Sequence, residues 1–198
     1  MVAKRKPERR QLILEALARE LENHPGERIT TARLARAAAI SEAALYRHFA
    51  SKAKMFEALI EFAEESIFSR VNRILEEEDD AAQRCQRILY LLLAFAAGNP
   101  GLVSVLMGDA LVGERERLRS RVEQFFARIE TQLKQILRES AARREGQVGT
   151  PPAVGANLML ALVEGRMHQF LRSRFKRSPL DQWEAQWRLI HPALFAGR

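Results

Sequence analysis

The stretch from Thr30 to Lys52, TTARLARAAAISEAALYRHFASK, constrains the fold of this chain more than any other part of it. Hydroxyl side chains recur where helices should begin: Thr30 or Thr31, then Ser41, then Ser51. Such residues accept a hydrogen bond from the free N–H groups of a first helical turn. The spacing predicts a helix to about Ala38, a short one through Phe49, and a long one after Ser51. Leu45 and Phe49, at i and i+4, mark one buried side of the short helix. Two short helices joined by a tight turn form a helix-turn-helix. Leu34, Ile40, Leu45 and Phe49 can pack both against a preceding helix that starts near Pro7. That helix carries Leu12, Ile13, Ala16, Leu17 and Leu21, and His24-Pro25-Gly26 ends it.

The rest of the chain also has a helical period. After Ser51, Phe56, Leu59, Ile60, Ala63, Ile67, Val71 and Ile74 form a sustained apolar stripe. From Gln83 to Ala97 apolar residues occupy nearly every face, which predicts a helix buried all round. Asn99-Pro100-Gly101 reads as a stop and restart, followed by a helix or pair of helices from Leu102. A long amphipathic helix is expected from Leu118 to about Ser140, and residues 141–152 read as a loop. A helix from Ala153 to about Lys176 follows. The last, near Leu180 to Ile190, should stop or kink at Pro192. Sparse glycine and proline, with Ala, Leu, Arg and Glu dominant, agree with an all-α fold.

The charge is unevenly placed. Residues 1–55 hold 12 Lys/Arg against 6 Asp/Glu, whereas the other 143 hold 20 against 19. Basicity concentrated in the N-terminal quarter is the footprint of a nucleic-acid partner. The single cysteine, Cys85, allows no internal disulfide and lies in a helical apolar run, which predicts a buried thiol in a reducing compartment. The longest apolar run, Ile88 to Ala97, is too short to span a bilayer. A cytoplasmic protein is expected.

A reading helix of about 8 residues is roughly 12 Å long and fits end-on into a major groove. Its front turn goes deepest, and the small side chain of Ala43 lets the backbone approach the base edges. Ala44 is the alternative if it does not face inward. Thr30, Thr31, Tyr46, His48 and Lys52 are placed for phosphate contacts, which position a protein without reading sequence. Arg47 can reach a guanine edge or a phosphate. Glu42 can accept from cytosine or complement the helix dipole. Lys4, Arg5 and Lys6 form an arm suited to a minor groove.

Residues 29–56, ITTARLARAAAISEAALYRHFASKAKMF, resemble the DNA-binding domain of the TetR family, with LYRHFASK as the specific core. LIEFAE at 59–64, NPGL at 99–102 and FARIETQLKQILRE at 126–139 extend a resemblance to the nucleoid occlusion factors of that family. It implies a TetR-like architecture, with a helix-turn-helix domain at 1–52 and a helical dimerisation and partner-binding domain at 53–198. It also implies a nucleoid-associated homodimer that binds palindromic sites in double-stranded DNA and restrains assembly of the division protein FtsZ through FtsZ's C-terminal tail. The family turn usually carries glycine where this chain has Ala39, and the subfamily tends to carry arginine where it has Gly98.

For the FtsZ tail, Phe62, Ser66 and Arg70 follow one another along the border of the long apolar stripe. An exposed aromatic beside an arginine could dock a short apolar, acidic peptide. By analogy with the family, Leu91, Ala94 and Asn99 complete the groove. Phe68 lies equally far off the stripe on its other side. For the dimer, Leu158, Ala161, Leu162 and Gly165 offer a close-packing face, with Trp183, Trp187 and Ile190 on the last helix. Four such helices would make a bundle. The main alternative is a repressor released by a small ligand, in a pocket lined by Leu89, Leu92, Phe125 and Met159. These residues read as packed core, and no small-molecule ligand is expected. The four histidines are scattered, and no metal-ligand spacing, phosphate loop or nucleophile elbow is present. Neither an enzyme nor a cofactor or metal is expected.

Overall fold

The computed structural model describes residues 8–143 and 150–195; Lys4, Arg5, Lys6 and Pro7 lie outside them. Nine α-helices and no strand are present among the described residues. The first four are α1 (Arg9–Asn23), α2 (Thr31–Ala37), α3 (Glu42–His48) and α4 (Lys52–Glu77). The hydroxyl pattern translates directly into their starts. Thr30, Ser41 and Ser51 accept from the N–H groups of Arg33, Ala44 and Lys54 at 3.2, 3.1 and 3.3 Å. Ile13 and Leu17 of α1, Leu34 of α2 and Leu45 of α3 are fully buried and meet Phe49, so neither short helix has to be stable alone. The α2–α3 turn is closed by Ile40 N–H to Ala35 O and Ala39 N–H to Arg36 O, with Ala39 left-handed at φ 52°.

The remaining helices are α5 (Ala81–Gly98), α6 (Pro100–Leu106), α7 (Glu116–Arg143), α8 (Pro152–Arg172) and α9 (Trp183–Phe195), with a short 3-10 turn at Asp109–Leu111. The chain bends by 114° between α5 and α6, and no single described helix is long and apolar enough to cross a membrane. There α6 crosses α1 so closely that a Cβ on Gly101 would lie 2.0 Å from the carbonyl oxygen of Ala18. Only glycine permits that approach. Lys52 adds a second tie, since its ammonium meets Glu114 at 2.6 Å and donates to the Ile29 carbonyl at 3.0 Å. α7 starts beside α4, where Arg117 pairs with Glu57 and Arg121 with Glu64. α8 runs back antiparallel to α7: a Cβ on Gly155 would touch Leu137, and Asn157 donates to Glu130.

Three expectations are corrected. α5 is not buried all round, because its outer face remains open between α4 and the start of α9. Gln83 and Tyr90 are exposed there, and Leu91 and Ala94 half-buried. α8 stops at Arg172, four residues before Lys176, because Arg174 and Phe175 turn left-handed. α9 continues through Pro192 to Phe195. Ring contacts among Trp187, His191 and Phe195 and a hydrogen bond from Thr150 to the Ala193 carbonyl hold its last turn. Arg166, buried on α8, donates to the carbonyls of Pro179 and Asp181 and to Gln186, pinning the α8–α9 connection. Desolvation lowers its pKa, and those acceptors compensate for the burial.

Candidate nucleic-acid interface and partner groove

α3 presents Glu42, Ala43, Tyr46, Arg47 and His48 to solvent, while Ala44 is half-buried. Of the two alanines, Ala43 is therefore the one on the outer surface. Thr30 is exposed and Thr31 half-buried at the start of α2. The Thr31 hydroxyl donates to the Glu42 carboxylate at 2.8 Å, which locks the front of α2 to the front of α3. Glu42 thus already has a donor within the chain, and the Thr31 proton is committed to it. Lys52 departs from expectation. It is only 17% exposed and held by Glu114 and the Ile29 carbonyl, which makes it a tie between helices instead of a free phosphate donor.

Two arginines outside the expected set shape this surface. Arg10 donates to the His48 carbonyl at 3.3 Å and stacks 4.3 Å from the Phe49 ring centroid, so α1 brings a guanidinium to the end of α3. The pair Arg9-Arg10 was visible in sequence, but its position over Phe49 is tertiary. Arg33 clamps Glu20 at 2.5 Å and Glu27 at 2.8 Å, fixing the α1–α2 turn. That hydrogen bond chiefly holds the Glu27 carboxyl below its ordinary value, and the charges of Arg33, His24 and Arg174 act in the same direction.

On the opposite side of α4, Phe62 is 49% exposed, with its ring 6.4 Å from Phe95. Phe68 is instead half-buried, edge-on to Phe125 and covered by Arg128 at 3.7 Å. An open cavity of about 670 Å³ between α4 and α5 brings together Arg70, Leu91 and Ala94 and adds Arg73, Arg87 and Tyr90. Phe62 and Ser66 lie along α4 before it, and Arg70 reaches back to the Ser66 carbonyl at 3.2 Å. Asn99 caps α5, donating to the Phe95 carbonyl at 2.8 Å, so its amide N–H is already engaged. Tyr90, 48% exposed, escaped the sequence because α5 looked apolar on all sides. The spacing of Gln83, Arg87, Tyr90 and Ala94 was the available signal.

Along α8, Leu158 (46% exposed), Ala161 and Gly165 line one outward face, with Val154 before them and Leu162 half-buried beside them. A Cβ on Gly165 would meet nothing within 4 Å, so this face has no cover within the protomer. Trp183 and Trp187 were expected at the dimer contact. They are 2% and 5% exposed, stacked together inside the protomer 5.9 Å apart. Their bulk closes the gap between α9 and the core. α9 turns Leu189, 78% exposed, outward, and Ile190 is half-buried. The period of α9 was readable, but the face that points inward was not.

The arrangement agrees with relationships across the whole chain. The profile of the bacterial regulatory proteins of the tetR family matches residues 13–59, and that of the SlmA-like, tetracyclin repressor-like C-terminal domain matches residues 79–194. The nucleoid occlusion factor SlmA of Shewanella halifaxensis is 57% identical over 194 residues, covering 98% of each protein. The ketosteroid transcriptional regulator KstR2 of Mycobacterium tuberculosis superposes with a TM-score of 0.79 at 16% identity, covering 100% of both chains. FadR of Bacillus subtilis, solved with stearoyl-CoA, superposes at 0.73 and 16% identity, covering 93% of this chain and 98% of that one. At those identities the two regulators share the fold alone.

Proposed function

The chain belongs to the TetR family of bacterial regulatory proteins and to its SlmA-like branch, and from that premise we propose that it is a nucleoid occlusion factor. The observation that carries this proposal is identity of 57% over nearly the full length of a protein so named, well beyond the shared helix-turn-helix.

A dimer sets two α3 helices about one DNA turn apart on a palindromic chromosomal site. Ala43 brings each front turn against base edges, Glu42 is fixed by Thr31, and Tyr46, Arg47, His48 and Thr30 hold phosphates. The outward face of α8, together with Leu189 of α9, forms the contact between protomers. The FtsZ tail, a short apolar and acidic peptide, docks along Phe62, Ser66 and Arg70 and into the cavity bounded by Leu91, Ala94 and Tyr90. The division of labour follows residues 1–52 and 53–198, with α4 running from one into the other.

A genome-wide binding map tests the function. Many palindromes spread over the chromosome are expected, whereas one or two sites beside transport genes would count against occlusion. Phe62→Ala tests the groove and should weaken binding of an FtsZ tail peptide at least tenfold without altering folding, because Phe62 is half exposed. Wild-type affinity in that variant would remove Phe62 from the site. Leu189→Glu should shift the dimer toward monomer in sedimentation.

A repressor released by an acyl ligand is the second reading, favoured by the shared fold with the stearoyl-CoA-bound regulator. Leu89, Leu92, Phe125 and Met159 are buried to 1% exposure or less and form part of one continuous core, which argues for packing at that position. Release of DNA by long-chain acyl-CoA would favour the repressor.

A further inference from the structure

The α8–α9 connection carries a basic cluster that the helix-turn-helix does not account for. Arg172, Arg174, Lys176 and Arg177 place four cations within six residues. All four are exposed, and none forms an ion pair with a described residue. Elsewhere on the helical body, arginines stand beside carboxylates: Arg73 by Glu77, Arg121 by Glu64. The chain supplies counter-charges to those arginines and not to this turn.

The turn is also built at a cost and held rigid. Arg174 and Phe175 are consecutive left-handed residues, at φ 52° and 61°, a conformation that disfavours any side chain with a Cβ. Phe175 is anchored edge-on to Phe170 at 5.1 Å, and its N–H bonds to the Phe170 carbonyl. On the far side the buried Arg166 fixes Pro179, Asp181 and Gln186. Strain maintained by surrounding structure is a mark of functional segments.

Its place in the fold points to the occupant. α7 leaves from beside the first turns of α4, and α8 returns antiparallel, so the α8–α9 turn lies at the end of the body that faces the helix-turn-helix. A cavity of about 400 Å³ is lined by Pro25 and Gly26 on one wall and by Arg172 and Arg174 on the other. Thr30, the cap of α2, follows four residues after Gly26. The positive surface of the N-terminal helices therefore continues onto the body.

We propose that this turn is a second DNA-contacting element, which grips the sugar-phosphate backbone of the duplex that α3 reads. It adds affinity without sequence preference, since phosphate contacts position a protein and base edges specify its site. This inference rests on the DNA-binding function proposed above.

The test compares the full-length variant Arg174→Gln/Lys176→Gln with Lys134→Gln/Arg138→Gln, which removes the same charge near the far end of α7. Affinity for a duplex carrying the bound site, and for a scrambled one, is measured from about 50 to 200 mM salt. If both cations of each protomer contact phosphate in a dimer, the slope of log K against log salt becomes shallower by about 3–4. Affinity should fall on both duplexes by the same factor, and the far-end variant should match wild type. Slope and affinity equal to the far-end variant would overturn the inference. So would loss of binding to anionic-lipid vesicles with duplex binding intact, because the turn would then serve a lipid surface. A wild-type protein that bound no duplex would instead remove the DNA-binding function itself. If the first variant melts early, Arg172→Gln/Arg177→Gln makes the same comparison without touching a left-handed residue, and the same outcomes decide.

Discussion

Replacing Ala39 by glycine should stabilise the protein by about 0.5–1 kcal/mol, the balance of two opposing terms. Ala39 follows the cap of α2 at φ 52°, where Ile40 N–H bonds to Ala35 O at 3.0 Å and Ala39 N–H to Arg36 O at 3.1 Å. This is the left-handed helix end that glycine usually occupies. For an L-residue with a Cβ the conformation costs about 1–2 kcal/mol, and glycine avoids that cost. Glycine in turn loses about 0.4–1 kcal/mol through the greater freedom of its unfolded chain. The methyl group is exposed, so its removal forfeits no buried contact. At roughly 2–4 °C per kcal/mol for a chain of this size, the melting temperature should rise by about 1–4 °C. The decisive assay is urea unfolding, in which the midpoint should rise while the m value stays constant. Ala39→Val should move the midpoint the other way, because a β-branched side chain is the worst fit to positive φ. A glycine variant no more stable than wild type, at unchanged m, would refute the reasoning.

Other substitutions probe how the two ends of the molecule are joined. Gly101→Ala should cost about 3 kcal/mol or more in urea unfolding, because the new methyl group meets the α1 backbone at 2.0 Å, which no rotamer change can relieve. Lys52→Met should cost about 1–3 kcal/mol by leaving Glu114 unpaired at 13% exposure. A double-mutant cycle with Glu114→Gln should show coupling between the two sites, and strict additivity would remove the tie. Burial pushes the Cys85 thiol up to about 12, so it should stay unmodified by maleimide at pH 7–8 until the protein unfolds. Because the folded pKa lies above the unfolded one, the thiol's contribution to stability is complete below about pH 9 and declines as pH rises toward 12. Fast modification of the native protein would contradict this burial.

Much of the fold lay in local signals. Hydroxyl caps at Thr30, Ser41 and Ser51 and the apolar stripe of α4 depend on residues within a few positions of each other, so the sequence alone determined where those helices start and which face of α4 is buried. Ala43 over Ala44, the exposure of Phe62 and the strain at Ala39 were legible for the same reason. The misplaced elements depended on distant partners. Periodicity gave α9 an apolar face but could not say that it closes on the protomer's own core, burying Trp183 and Trp187 and turning Leu189 outward. The apolar composition of α5 concealed Tyr90, because exposure there depends on where α4 and α9 diverge. Lys52 looked like a phosphate donor until Glu114, distant in sequence, was found beside it. The sequence determined the helices and the surface that reads DNA, since caps and periods are short-range. Only the tertiary structure decided which charges are already paired and which stand free, because a charge is neutralised by what lies next to it in space.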